Sequence, residues 1–168
     1  AGGMLGHVGC RADRNADLNG VSCVDCHNPH QASDRPADPP YVSGALAGVR
    51  GVDRDGAEVS PATYEYEICF RCHGDNTPDS EFVPRVIAST NTRLDFDANN
   101  ASFHPVVEMG RGVDAPSLPS SLSPRMTASD QIGCTSCHAD DEGGSRGPHG
   151  SDFAPILKER YETIDGTG

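Results

Sequence analysis

The chain has 168 residues, a formal net charge of -12, and only 29 residues of Leu, Ile, Val and Phe. That is under the roughly 20% of such residues below which a highly charged chain normally stays disordered, because it buries too little apolar surface. The acidity argues against nucleic acid and anionic lipid as partners, and no apolar run approaches the roughly 20 residues of a membrane span.

Residues 1–20 read as an N-terminal arm that carries His7 and Cys10. The first residues do not have the pattern of a secretory leader, and a mature form starting at Ala1 is expected. Within the arm, "DRNADLNG" at 13–20 alternates oxygen-bearing side chains as calcium loops do. Leu18 stands where a loop of the EF-hand type needs Gly, and no Glu occupies its twelfth position. A solvated polar turn is therefore expected there in preference to bound calcium.

Residues 20–75 hold "CVDCHNPH" and "CFRCH". Between them, 42–60 reads as a small hairpin, "LAGVRGV" and "AEVS" joined by "DRDG". A helix is expected next, with Ser60 as N-cap, Pro61 at the first position, and Tyr64, Ile68 and Cys72 repeating every four residues. Residues 76–130 are rich in Ser, Pro and Asn and hold His104. "SDQIGCTSCH" reads as a short helix with Ser129 as its cap. The tail "APILKERYETI" has a helical stripe of Ile156, Leu157 and Tyr161.

Cys-x-x-Cys-His thus occurs three times: Cys23, Cys26 and His27; Cys69, Cys72 and His73; Cys134, Cys137 and His138. A disulfide framework gives no reason for a histidine after each pair. A zinc ribbon takes two pairs per tetrahedral site and would leave one pair over. Redox-active dithiols need no histidine either. Covalent haem attachment uses each motif whole, with both thiols as thioethers to the macrocycle and the histidine as proximal iron ligand. Three c-type haems are therefore expected. As large apolar plates, they would also supply the core that the side chains lack.

Each iron then needs a sixth ligand. His7, His30, His104 and His149 remain, and four candidates for three irons favour two histidines per iron. Met4, Met109 and Met126 are the alternative axial donors, but methionine more often fills gaps in packing. His27 and His30 are too close in sequence to reach opposite faces of one macrocycle, so His30 is expected on a different iron. Coordination by two histidines leaves no open position for a substrate. An electron carrier is expected, and not an enzyme.

At these residues the chain resembles multihaem c-type cytochromes with doubled Cys-x-x-Cys-His motifs. The stretch from "GVSCVDCHNPH" to "YEYEICFRCHGD" looks like one doubled unit, and the third motif stands alone. "SFHPV" at 102–106 and "GPHGS" at 147–151 resemble the contexts of distal histidines. The resemblance covers most of 20–160 and implies His30, His104 and His149 as distal ligands. His7, in "LGHVG", matches no such context. The family includes filament-forming outer-surface cytochromes of metal-reducing bacteria.

The expected fold is mostly irregular coil with a few short helices and a small hairpin, organised around the three haems. It is expected as a single domain over 1–168, made of the arm (1–20), the doubled unit (20–75), and a loop with distal His and the third motif (76–168). The expected function is electron transfer to other redox proteins or extracellular acceptors, from a secreted, cell-surface or periplasmic location. A surplus histidine, an unpaired Cys10 and a loose arm suggest a homo-oligomer or helical filament, with His7 donated to a neighbouring subunit. The alternative is a soluble periplasmic triheme shuttle or a subunit of a multihaem reductase complex.

Overall fold

The computed structural model describes residues 22–74, 91–112, 127–140 and 147–160. The described residues gather into two compact units, 22–133 and 134–160. The boundary falls immediately before the third motif. Most of the backbone is irregular, as expected for a chain with 19 Gly and 13 Pro. No helix among the described residues is long and apolar enough to cross a membrane.

In the first unit, β1 (Gly51–Val52) and β2 (Glu58–Val59) pair antiparallel, Gly51 opposite Val59 and Val52 opposite Glu58. Asp53 shapes the turn between them. Its Oδ1 accepts the backbone N–H of Asp55 at 2.9 Å and of Ala57 at 2.8 Å. Gly56 follows at φ +89°, a conformation that costs a Cβ-bearing residue energy. The hairpin expected at 42–60 is present, with shorter strands.

Helix α2 (Glu65–His73) begins four residues later than Pro61, where the sequence suggested. The reason is tertiary. Val42 N–H donates to Thr63 O at 3.0 Å and Ala62 N–H donates to Val49 O at 2.7 Å, which keeps 62–63 extended. Ser60 and Pro61 therefore end the hairpin and do not start the helix. The true cap comes from inside: the Glu67 carboxylate accepts Thr63 N–H at 2.7 Å and Tyr64 N–H at 3.0 Å. Glu65, Tyr66, Glu67, Ile68 and Phe70 are buried, so the inward face is broader than the predicted stripe of Tyr64, Ile68 and Cys72.

Val42, Val49, Ala62 and Ile68 form the apolar cluster behind α2, with Cys26 and Leu46 packed against it. β1 approaches α2 so closely that a Cβ at Gly51 would lie 2.7 Å from Glu67 Cβ. Alongside runs a row of rings. Centroids are 5.5 Å apart for Tyr41–Tyr64 and Tyr64–Tyr66, 5.2 Å for Tyr66–Phe70, and 6.4 Å for Phe70–Phe96. Two further short helices are α1 (Cys23–Cys26) and α3 (Thr92–Asp95), the latter capped by Asn91, whose side chain accepts Arg93 N–H at 3.1 Å. Four-residue helices are not stable alone and depend on their surroundings.

The helix expected over "SDQIGCTSCH" reduces to one 3-10 turn, Cys134–Ser136, at the start of the second unit. Ser129 does not cap it. Instead, Thr127–Asp130 closes its own turn, Thr127 N–H donating to the Asp130 carboxylate at 2.7 Å. No helix covers 151–160 either. Phe153 and Leu157 pair across a turn in which Ile156 takes φ 59°, a left-handed conformation incompatible with a continuing right-handed helix. Ser151, 2% exposed, fastens this turn by donating its Oγ–H to Leu157 O at 2.5 Å and accepting Phe153 N–H at 2.9 Å. Ile156 and Leu157 thus belong to a turn; Tyr161 lies outside the described residues.

Candidate functional site

All three Cys-x-x-Cys-His segments are helical: a four-residue helix at the first, the last part of α2 at the second, and a 3-10 turn at the third. His27 N–H donates to Cys23 O at 2.9 Å, and His138 N–H donates to Cys134 O at 2.9 Å. Cys69, Cys72 and His73 lie within α2 and share its i to i+4 geometry. Positions three and four apart on a helical turn are surface neighbours, about 5–6 Å between Cβ atoms. Each motif therefore presents two sulfur-bearing side chains and an imidazole on one face.

Two of the proximal candidates have their rings fixed by backbone carbonyls. His27 Nδ1 lies 2.9 Å from Ala45 O, in the 3-10 turn Gly44–Leu46. His138 Nδ1 lies 3.1 Å from Pro155 O, in the turn held by Ser151. A carbonyl can only accept, so each Nδ1 carries the proton and the ring lone pair sits on Nε2. That is the tautomer of a histidine ligand whose second nitrogen is anchored. The two acceptors lie at nearly the same sequence distance, 18 and 17 residues, although one is in each unit. His27 is half-buried, and His73 and His138 are exposed.

The thiols narrow the chemistry. Burial pushes the Cys26 thiol above its ordinary value, partly offset by the Arg71 guanidinium, with Asp25 adding to the rise. Burial likewise pushes Cys137 up, against the pull of Lys158 and with a further push from Cys134. Both are the second cysteine of their motif, and burial favours the thiol form of each. Cys23, Cys26, Cys69, Cys134 and Cys137 are thiols, whereas Cys72 is in a disulfide. Disulfide and thioether are mutually exclusive uses of one sulfur, so attachment at the second motif takes Cys72 in its reduced form. Among the described residues, no group of three or more His, Cys, Asp or Glu is arranged to hold a metal ion directly.

The distal candidates are all exposed. His30 sits on a turn built by Asn28, whose Oδ1 accepts His30 N–H at 3.0 Å and whose carbonyl accepts Gln31 and Ala32 N–H. His104 packs its ring 6.3 Å from Phe96, extending the aromatic row to the surface. Its loop is pinned by Ile132 N–H on Pro105 O at 2.9 Å and by Gln131 Nε2 on Val106 O at 2.9 Å. His149 lies over Gly147, which has φ +117° and where a Cβ would meet the imidazole Cε1 at 3.2 Å. The first unit thus holds two motifs with His30 and His104, and the second holds one motif with His149. Met109 is 60% exposed and does not fill a gap in packing. His7, Cys10, Met4, Met126 and the 13–20 stretch lie outside the described residues.

Sequence reasoning missed the two carbonyls, Ala45 and Pro155, because a backbone acceptor carries no side-chain signature. It also missed Arg71, whose Nη1 donates to the backbone carbonyl of Asp25 and so joins the second motif to the first. A cation inside a motif on a helix with a buried face was the available signal. Comparison with protein-family models, with characterised proteins and with solved structures returned no match.

Proposed function

We propose that the chain is an electron-transfer protein carrying three c-type haems, one on each Cys-x-x-Cys-His turn. The observation that carries this reading is the shared turn geometry, together with the Nδ1–H anchors of His27 and His138. When bound, each haem supplies an iron that exchanges one electron between its ferric and ferrous states. Cys23, Cys26, Cys69, Cys72, Cys134 and Cys137 would hold the macrocycles, each thiol adding its sulfur and hydrogen across a vinyl double bond; Cys72 would do so after a dithiol reductant, itself oxidised to a disulfide, has cleaved its disulfide. His27, His73 and His138 would be the proximal ligands, and His30, His104 and His149 the distal ones.

The thiol form that burial favours at Cys26 and Cys137 suits this use. Among the described residues, each unit holds as many distal candidates as motifs, which supports two histidines per iron, and hence electron transfer without an open substrate position. Secretion to the periplasm or cell surface belongs to the same proposal, as does a homo-oligomer, in which His7 would cap an iron of the next subunit in place of one of those three distal histidines. The testing experiment is a visible and electron paramagnetic resonance spectrum of the purified protein. A Soret band with only low-spin ferric signals is expected. Absence of a Soret band contradicts the proposal, and a high-spin majority contradicts the ligation.

A further inference from the structure

Arg71 and Asp25 occupy the same place in their motifs, the residue just before the second cysteine, 46 positions apart. Asp25 turns its carboxylate back on Ser22, accepting both the backbone N–H and the Oγ–H at 2.8 Å. That leaves its carbonyl, and not its carboxylate, to meet the Arg71 guanidinium. Arg71 is half-buried, so its charge acts where solvent screening is reduced.

We propose that Arg71 is a positioning residue that couples the first two haem sites, fixing the spacing of their turns and placing a cation beside the first. This rests on the electron-transfer reading above. The clasp joins the two motif turns directly, so it sets how closely macrocycles on Cys23–Cys26 and Cys69–Cys72 approach. A cation near a centre that gains an electron favours the reduced state, so Arg71 raises the reduction potential of the first site. Lysine would keep the charge but lose the planar fork that fixes the geometry.

The test compares wild-type, Arg71→Lys and Arg71→Met holoprotein by intact mass, redox titration and Soret circular dichroism. In Arg71→Met, all three haems stay attached, one midpoint falls, and the exciton couplet weakens. In Arg71→Lys, the midpoint recovers towards wild type while the couplet stays weakened. Unchanged midpoints and couplet in Arg71→Met with three haems overturn the inference. If Arg71→Met does not load, Arg71→Lys decides: an unchanged couplet overturns it, and a weakened couplet at a near-native midpoint supports it. Wild-type protein without haem overturns the electron-transfer reading itself, and this inference with it.

Discussion

His138 Nδ1 lies 3.1 Å from the carbonyl oxygen of Pro155, and His27 Nδ1 stands in the same relation to Ala45 at 2.9 Å. Both acceptors sit in tight turns whose shape is fixed by other bonds. The ring orientation is therefore set by the fold, before any ligand is considered.

Gly44 is the weak point of the first of these turns. It is buried, and a Cβ there would meet Ser33 Oγ, with the Arg35 backbone nitrogen at 2.7 Å. Gly44→Ala is expected to cost about 1–3 kcal/mol by overpacking and to pull Ala45 O away from His27. Thermal unfolding measures the first effect, and loss of the hydrogen-bonded His27 Nδ1–H resonance measures the second.

Phe70 lies inside the second motif and is 2% exposed, the most buried large side chain described. It touches Tyr66 and Phe96 and so joins α2 to the loop of His104. Phe70→Ala is expected to destabilise by about 3–5 kcal/mol and Phe70→Leu by less than half of that. Chemical denaturation of the two variants checks the order.

How much of this was legible in sequence divides along local and non-local lines. The motif turns follow from spacing within five residues, and the hairpin from Asp53 and Gly56, so both were readable. The start of α2 was not, because Ser60 and Pro61 look like a helix entry until Val42 and Val49, far earlier in the chain, claim the backbone of 62–63. The apolar tail stripe misled for a similar reason. Ser151 closes 151–157 as a turn, and Ile156 in the left-handed region cannot continue a helix. His30, His104 and His149 were readable as residues, but the loops that hold them depend on Asn28, Gln131 and Gly147 in three different ways.

Tyr66 gives a pH signature. Burial first, and then the Glu67 carboxylate, pushes its phenol from 10.0 to about 12. The unfolded chain therefore releases this proton before the folded one does. The contribution to stability is intact below pH 10 and is lost as pH rises from 10 through about 12. Tyr66→Phe is expected to flatten the stability profile across that window, measured by denaturant midpoints at a series of pH values.

The distal assignment is tested by single histidine changes. His104→Ala is expected to convert one low-spin centre to high spin while all three haems stay attached, and His30→Ala and His149→Ala should each do the same. Electron paramagnetic resonance of the ferric protein reads this directly. A His104→Ala protein that remains entirely low-spin would remove His104 from the ligand set and make His7 the leading substitute.

The central claim is covalent attachment at all three turns, and intact mass spectrometry of the denatured, reduced protein tests it most directly. The account predicts the polypeptide mass plus three haems, with peptides containing Cys23–Cys26, Cys69–Cys72 and Cys134–Cys137 each carrying one. A mass equal to the polypeptide alone, or a second-motif peptide whose Cys72 is recovered as an unmodified thiol, would contradict it.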